Sequence, residues 1–249
     1  MNPYLRGLNK LEFVVTYACT GQCKHCSEGD HTTCGERMDP HVAANAVRQI
    51  CAHYPIQTVM TFGGEPLLYP EAVFAIHSAA RDAMVPRRQV ITNGYFSCDT
   101  LQIRRVAQGL MECGVNDLLL SADAFHQETI PLDTVRRFAV EIQKCGISMR
   151  IQPAWLVTPT HDNPYNCITR EILDVFCKMG IEANDGNTVF WEGNATKYLS
   201  AFFEGTPPQN PYVEDPQDIR CLSFDPDGGV LRQNVYQKNI LEILKEYQP

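Results

Sequence analysis

Three cysteines and a histidine fall within eight consecutive residues, CTGQCKHC from Cys19 to Cys26, just after the first apolar run of the chain. Cys19, Cys23 and Cys26 are separated by three and then two residues. No single face of a regular strand or helix presents that pattern, so the segment is expected to be a loop wrapped around something. Thiolates this close repel one another unless a soft cation neutralises them, which leaves zinc, copper(I) or an iron-sulfur cluster as the natural occupant. Structural zinc takes four protein ligands, often as two paired knuckles. Here the fourth would be His25, flanked by ligands and badly placed for the same tetrahedral ion, or Cys34, which has no paired partner. A cubic cluster held by three cysteines leaves one iron open to a non-protein group, which suits catalysis. Spacing therefore favours a cluster, with zinc and unligated loop thiols as the alternatives.

A second stretch, FGGEP from Phe62 to Pro66, also follows an apolar run. Paired glycines remove side chains, let a ligand approach the backbone and adopt dihedrals closed to other residues. Its bland reading is an ordinary strand-to-helix turn.

These residues need a scaffold, and extended runs alternate with helical patterns along the chain, which argues for a parallel sheet. Leu11 to Thr16, Gln57 to Phe62, Arg88 to Thr92, Asp117 to Ser121, Ile147 to Gln152 and Asn187 to Trp191 read as six strands. Helices are expected from about Asp39 to His53, Pro70 to Met84, Asp99 to Cys113 and Thr169 to Met179. Another runs from Asp133, as its cap, to Gly146, with Val135, Phe138, Ala139 and Ile142 on one side. Right-handed crossovers would curl six such units into an α/β fold, a partial (β/α)6 TIM-like barrel with its function at the carboxyl ends of the strands. Residues 205–218, GTPPQNPYVEDPQD, read as a linker. CLSFDPDGGVLRQN reads as a β-hairpin around Pro-Asp-Gly-Gly, and KNILEILKEY as a closing helix. The expected division is thus a barrel over residues 1–204 and an extension over 205–249.

The 249 residues suffice for one sizeable core, and a net charge of −8 with a pI near 5.4 leaves no broad electrostatic footprint for nucleic acid or an anionic bilayer. No signal-peptide pattern and no long unbroken apolar run is present, so a cytoplasmic protein is expected. Eleven cysteines, an odd number in a chain without an export signal, are read as reduced thiols. Cys51, Cys113, Cys145 and Cys177 are expected in apolar helix faces.

CxxxCxxC after the first strand, followed one βα repeat later by GGEP, resembles the radical S-adenosylmethionine (SAM) enzymes. The resemblance spans most of residues 11–195. It implies that Cys19, Cys23 and Cys26 hold a 4Fe-4S cluster, with His25 at a position that is usually aromatic. Gly63, Gly64, Glu65 and Pro66 would meet the methionine end of SAM, Glu65 facing its ammonium. TNGYF implies contacts from Thr92 and Asn93, and SADAFHQETIP implies contacts from Ser121 and Asp123, with Phe125 and His126 near the substrate. Gln152 and the stretch Trp191 to Ala195 look like further SAM positions, although Glu192 and Asn194 depart from the Pro-Gly-Arg-Ala stretch of peptide-modifying members.

The family's chemistry is reductive cleavage of SAM to a 5'-deoxyadenosyl radical that abstracts hydrogen from substrate. The resemblance further implies an electron donor such as flavodoxin or ferredoxin. The carboxyl-terminal stretch is similar to a SPASM domain reduced to a remnant, since no cysteine follows Cys221. An auxiliary cluster would need Cys145, Cys167 or Cys177 to join Cys221; the isolated thiol is otherwise a buried small hydrophobe, the favoured reading, or a candidate hydrogen-atom donor. The leading expectation is modification of a peptide or peptide-like molecule. A glycyl-radical-enzyme activase and a zinc-stabilised binding module without catalysis are the alternatives.

Overall fold

The computed structural model describes residues 2–32, 35–203 and 208–249; Cys34 and the start of the expected linker lie outside them. Five strands alternate with helices: β1 (Lys10–Val14), α1 (Pro40–Cys51), β2 (Thr58–Phe62), α2 (Pro70–Asp82), β3 (Arg87–Thr92), α3 (Thr100–Glu112) and β4 (Asp117–Ser121). A one-turn α4 (Ala124–Gln127), α5 (Leu132–Lys144) and β5 (Ser148–Gln152) follow. Each of these strands pairs in parallel with its predecessor. Their carboxyl ends therefore share one edge of the sheet, where every candidate loop emerges.

The sixth strand of the sheet is not the expected one. Beyond β5, Pro153 supplies no N–H and breaks the ladder. The chain then continues as β6 (Ala154–Trp155), α6 (Pro164–Cys177) and β7 (Asn187–Thr188), and β7 pairs with β6 in a separate two-stranded ribbon. An isolated bridge between Ile151 and Ala183 and a side-chain hydrogen bond between Gln152 and Asn184 tie this region to β5. After α7 (Asn194–Tyr198), the sixth place in the sheet is taken by β8 (Cys221–Phe224), parallel to β1, giving the order β5-β4-β3-β2-β1-β8. The expected hairpin thus begins with a sheet strand. Leu222 and Phe224 are fully buried, and the Phe224 ring stacks on Phe13 at 4.6 Å and 8°. A shorter hairpin of β9 (Gly229–Val230) and β10 (Gln233–Asn234) turns at Leu231 and Arg232, both at positive φ, and α8 (Ile240–Glu246) closes the chain. The segment expected as an extension thus contributes a strand to the six-stranded sheet.

Two further boundaries differ. Pro131 precedes α5, and Asp133 lies inside the helix and pairs with Arg136 at 3.2 Å instead of capping it. α6 starts at Pro164, because the Asn163 side chain accepts from Asn166 N and caps it there. Cys113 is buried as expected, Cys51 and Cys145 are half-buried, and Cys177 is exposed at the end of α6.

One apolar core gathers α3, α5 and α6 against β3 and β4, and a second gathers α1, α2, α8 and β8 against β1. A third, smaller cluster of Cys23, Phe125, Ala154, Leu156, Val189, Ala195 and Leu199 lies directly beneath the cysteine loop. Among the described residues, no helix is long and apolar enough to cross a membrane.

Candidate active site

The cysteine loop is held at the carboxyl edge of the sheet by backbone contacts that only glycine permits. A Cβ on Gly64 would lie 2.2 Å from the carbonyl oxygen of Ala18, and one on Gly63, at φ +139°, would lie 2.4 Å from that of Thr16. With hydrogen in those places, Gly64 N donates to Thr16 O and Glu65 N to Ala18 O, both at 2.8 Å. The side on which a Cβ would lie is thus filled by the loop itself, so Gly63 and Gly64 seat the cysteines.

Glu65 is fully buried and already engaged. Its Oε1 accepts from Leu67 N at 2.9 Å and Thr92 Oγ1 at 2.7 Å, and its Oε2 accepts from Asn93 N at 2.8 Å. Burial pushes its carboxyl up to about 7 against these hydrogen bonds. A role facing an ammonium must therefore be limited to the remaining lone pair of Oε2, and the larger share of Glu65 is spent tying the first turn after β2 to the end of β3. Pro66, also buried, opens that turn. The Thr92 hydroxyl, bonded to Glu65, also accepts from Gly94 N. Asn93 reaches the cysteine loop: its Nδ2 donates to Cys19 Sγ at 3.5 Å and to Thr20 Oγ1 at 3.3 Å.

Asp123, expected to meet the cofactor, is fully buried and engaged within the protein. Its Oδ1 accepts from Phe125 N and His126 N, and its Oδ2 from His126 Nδ1 and Ala154 N, all between 2.9 and 3.0 Å. Those four bonds saturate a carboxylate. Burial pushes its carboxyl up, but the facing His126 and these bonds outweigh it and hold it at about 2. Ser121 and Gln152 are register partners at the carboxyl ends of β4 and β5, both half-buried, and Gln152 Oε1 accepts from Asn184 Nδ2.

Cys221 lies away from this edge. It pairs with Lys10 at the amino end of β1, the far end of the strand from the cysteine loop. Burial and then Glu12 push its thiol up. Neither a hydrogen-donor role at this edge nor an auxiliary cluster has support, and among the described residues no metal-competent group includes Cys221.

The loop is closed from above by residues that sequence reasoning read differently or passed over. Asn194, only 2 % exposed, donates from Nδ2 to Cys23 O at 3.2 Å and Gly29 O at 3.0 Å, and from its backbone to Cys26 O at 2.8 Å. A Cβ on Gly193 would lie 2.2 Å from Ser27 O, so this approach also needs glycine. The stretch around Asn194, expected to face SAM, therefore clamps the loop. Lys197 pairs with Asp30, Lys24 with Glu128, and Gln22 N donates to Thr129 Oγ1. His31 donates from Nδ1 to Tyr17 O at 2.7 Å, with Nε2 3.0 Å from Cys26 Sγ; no pattern in the sequence signalled it.

Burial pushes the Cys19 thiol up to about 12, with Glu65 adding to it, and raises Cys23 and Cys26 as well. Asp123 and the other two thiols add to the rise at Cys23. The protein alone thus opposes three adjacent thiolates, which is the setting of a site completed by a cation that inverts the balance. His25 sits beside Phe125 and His126, each at a ring distance of 4.9 Å, and burial lowers its imidazole to about 4.

Residues 13–144, more than half of the chain, match the Radical SAM superfamily. A GTP 3',8-cyclase from Chlorobaculum tepidum is 24% identical over 139 residues, covering 56% of this chain and 40% of the relative, so the match leaves most of that enzyme's length without a counterpart. Streptococcus suis SuiB bound to S-adenosylmethionine shares the fold at a TM-score of 0.62 and 14% identity, over 97% of this chain and 66% of SuiB. The same SuiB bound to precursor peptide SuiA gives 0.60 and 12%, over 97% and 65%. anSMEcpe with bound AdoMet gives 0.61 and 16%, over 97% and 81%.

Proposed function

The chain belongs to the radical SAM superfamily, and from that membership we propose that it abstracts hydrogen from a peptide or peptide-like substrate with a 5'-deoxyadenosyl radical, the species that a reduced 4Fe-4S cluster and SAM supply when bound. One observation carries the reading: two buried thiols, Cys19 and Cys23, and the half-buried Cys26 share one loop that the Gly63-Gly64 backbone, Asn93 and Asn194 hold in place.

Cys19, Cys23 and Cys26 would hold the cluster. Asn93 fixes the Cys19 side chain, and Glu65 fixes Asn93 through its backbone. Ser121, Gln152 and the free lone pair of Glu65 are the groups we assign to SAM, because they lie at the carboxyl ends of β4, β5 and β2 with acceptor or donor capacity left. Phe125, stacked on Tyr165 at 4.5 Å, walls the region below the loop and keeps water from it. Electrons would come from a small redox protein of the flavodoxin or ferredoxin kind.

The peptide class is supported by fold: SuiB bound to a precursor peptide and anSMEcpe bound to peptides share this architecture over nearly the whole chain. The test is anaerobic reconstitution with iron and sulfide, addition of dithionite and SAM, and quantification of 5'-deoxyadenosine with Cys26→Ala as control. Product that disappears in the control, and that takes up deuterium from a labelled peptide, is expected. No product from cluster-loaded protein with any peptide, but product with a non-peptide substrate, would overturn the peptide class alone.

A further inference from the structure

Cys23 offers a ligand atom to a second constellation as well as to the cluster. One ligand atom from each of Cys23, His25 and His126 lies within 4.8 Å of the others. His126 is oriented as metal-binding imidazoles are: its Nδ1 donates to Oδ2 of the fully buried Asp123 at 2.9 Å, which fixes the tautomer and leaves Nε2 with its lone pair. Nδ1 of His25 is buried with no hydrogen-bond partner among the described residues, a cost that a metal ion at this place removes. The Asp123 anchor is itself held by three backbone N–H groups, so the imidazole behind it is rigid.

We propose that Cys23, His25 and His126 form a mononuclear site for a zinc-like divalent ion, exclusive with the cluster because both use the Cys23 sulfur. Imidazole nitrogen and thiolate sulfur are both zinc ligands, and three protein ligands leave a fourth tetrahedral position for water. Tetrahedral ligands of zinc sit roughly 3.5 Å apart, so the three atoms need to close by about 1 Å, a side-chain adjustment. Zinc in the cluster-free chain occupies this site and must leave before iron enters.

The test uses the cluster-free protein and cobalt(II) or zinc(II) alone. Cobalt titration of the wild type is expected to give tetrahedral ligand-field bands with a charge-transfer intensity of one thiolate per ion; an intensity of three thiolates would place the ion on Cys19, Cys23 and Cys26 and overturn the proposal. His25→Ala and His126→Ala are expected to weaken zinc binding at least tenfold, on the scale of lost metal-site groups, while Cys19→Ser and Cys26→Ser leave it within about twofold. The opposite ranking refutes the site. Preloaded zinc is expected to block iron and sulfide uptake in the wild type and to fail to do so in His126→Ala; equal uptake in zinc-loaded and zinc-free wild type would refute the exclusion.

Discussion

Asn194 is the residue whose replacement reads out most directly how the cysteine loop is held. Its Nδ2 makes two bonds to loop carbonyls, while its Oδ1 is buried without a partner among the described residues. In Asn194→Ala two bonds of about 1 kcal/mol each are lost, but removing the orphaned acceptor offsets about 1 kcal/mol of that, leaving a net loss of about 1 kcal/mol. The backbone bond from residue 194 to Cys26 O survives in alanine. Asn194→Asp keeps the shape, loses both donors and turns a carboxylate toward the carbonyls of Cys23 and Gly29, so its cost exceeds about 2 kcal/mol with no offset. Local opening of the loop should therefore rise roughly fivefold in the alanine variant and more than roughly thirtyfold in the aspartate variant. Hydrogen exchange of the cluster-free protein reads this at the amides of Cys26 and Gly29, which bond to Cys23 O and Cys26 O. Amides of β3 serve as the internal reference, since nothing in this clamp touches them. An aspartate variant no more mobile than the alanine variant, or both within twofold of wild type, would show that the clamp does not hold the loop.

Three more perturbations follow from the same geometry. Gly64→Ala drives a methyl into the Ala18 and Tyr17 backbone, contacts of 2.2 and 2.8 Å that no side-chain rotation relieves; it should cost about 1–3 kcal/mol in urea unfolding and most of the reconstituted iron, and full iron content would contradict the seating role of this glycine. Asp123, whose folded carboxyl at about 2 lies below its ordinary 3.8, stabilises the fold by about 2 kcal/mol above pH 3.8 and loses that contribution as pH falls toward 2. The urea-stability gap between wild type and Asp123→Asn should then be full at pH 6 and shrink below pH 4, and a constant gap would refute the assignment. Cys221→Ala, at the opposite end of the sheet, should keep wild-type iron content and 5'-deoxyadenosine yield; a loss of product with the cluster intact would return Cys221 to the site.

Sequence patterns located the first five strands, their helices and the two motifs because each depends on local chemistry: apolar runs, caps, and glycines at turns. The sixth strand of the sheet was not legible. Asn187 to Trp191 has the composition of a strand, but Pro153 had already broken the ladder on which it would pair. β8 reads locally as half of a hairpin, and only the demand of β1 for a second neighbour recruits it to the sheet. The structural share of Glu65 and Asp123 was not legible for a related reason. A carboxylate beside a ligand loop reads as a ligand contact, yet both spend their lone pairs on backbone and side-chain donors far apart in sequence. Asn194 was noticed only as part of a stretch expected near SAM, because a contact across 171 residues to Cys23 leaves no local pattern, and His31, one histidine in a polar loop, carried no signal.

The pairing of β8 with β1 also bears on how the chain is made. Residues 10–13 wait for residues 221–224 before the first strand has both neighbours. At synthesis rates of roughly 5–20 residues per second, the strand that leads into the cysteine loop spends on the order of ten seconds or more as an open sheet edge on the ribosome. The centre of the chemistry is thus translated first and sealed almost last, so loading of the loop and closure of the barrel are separate events in time, with the unpaired edge as the interval's hazard.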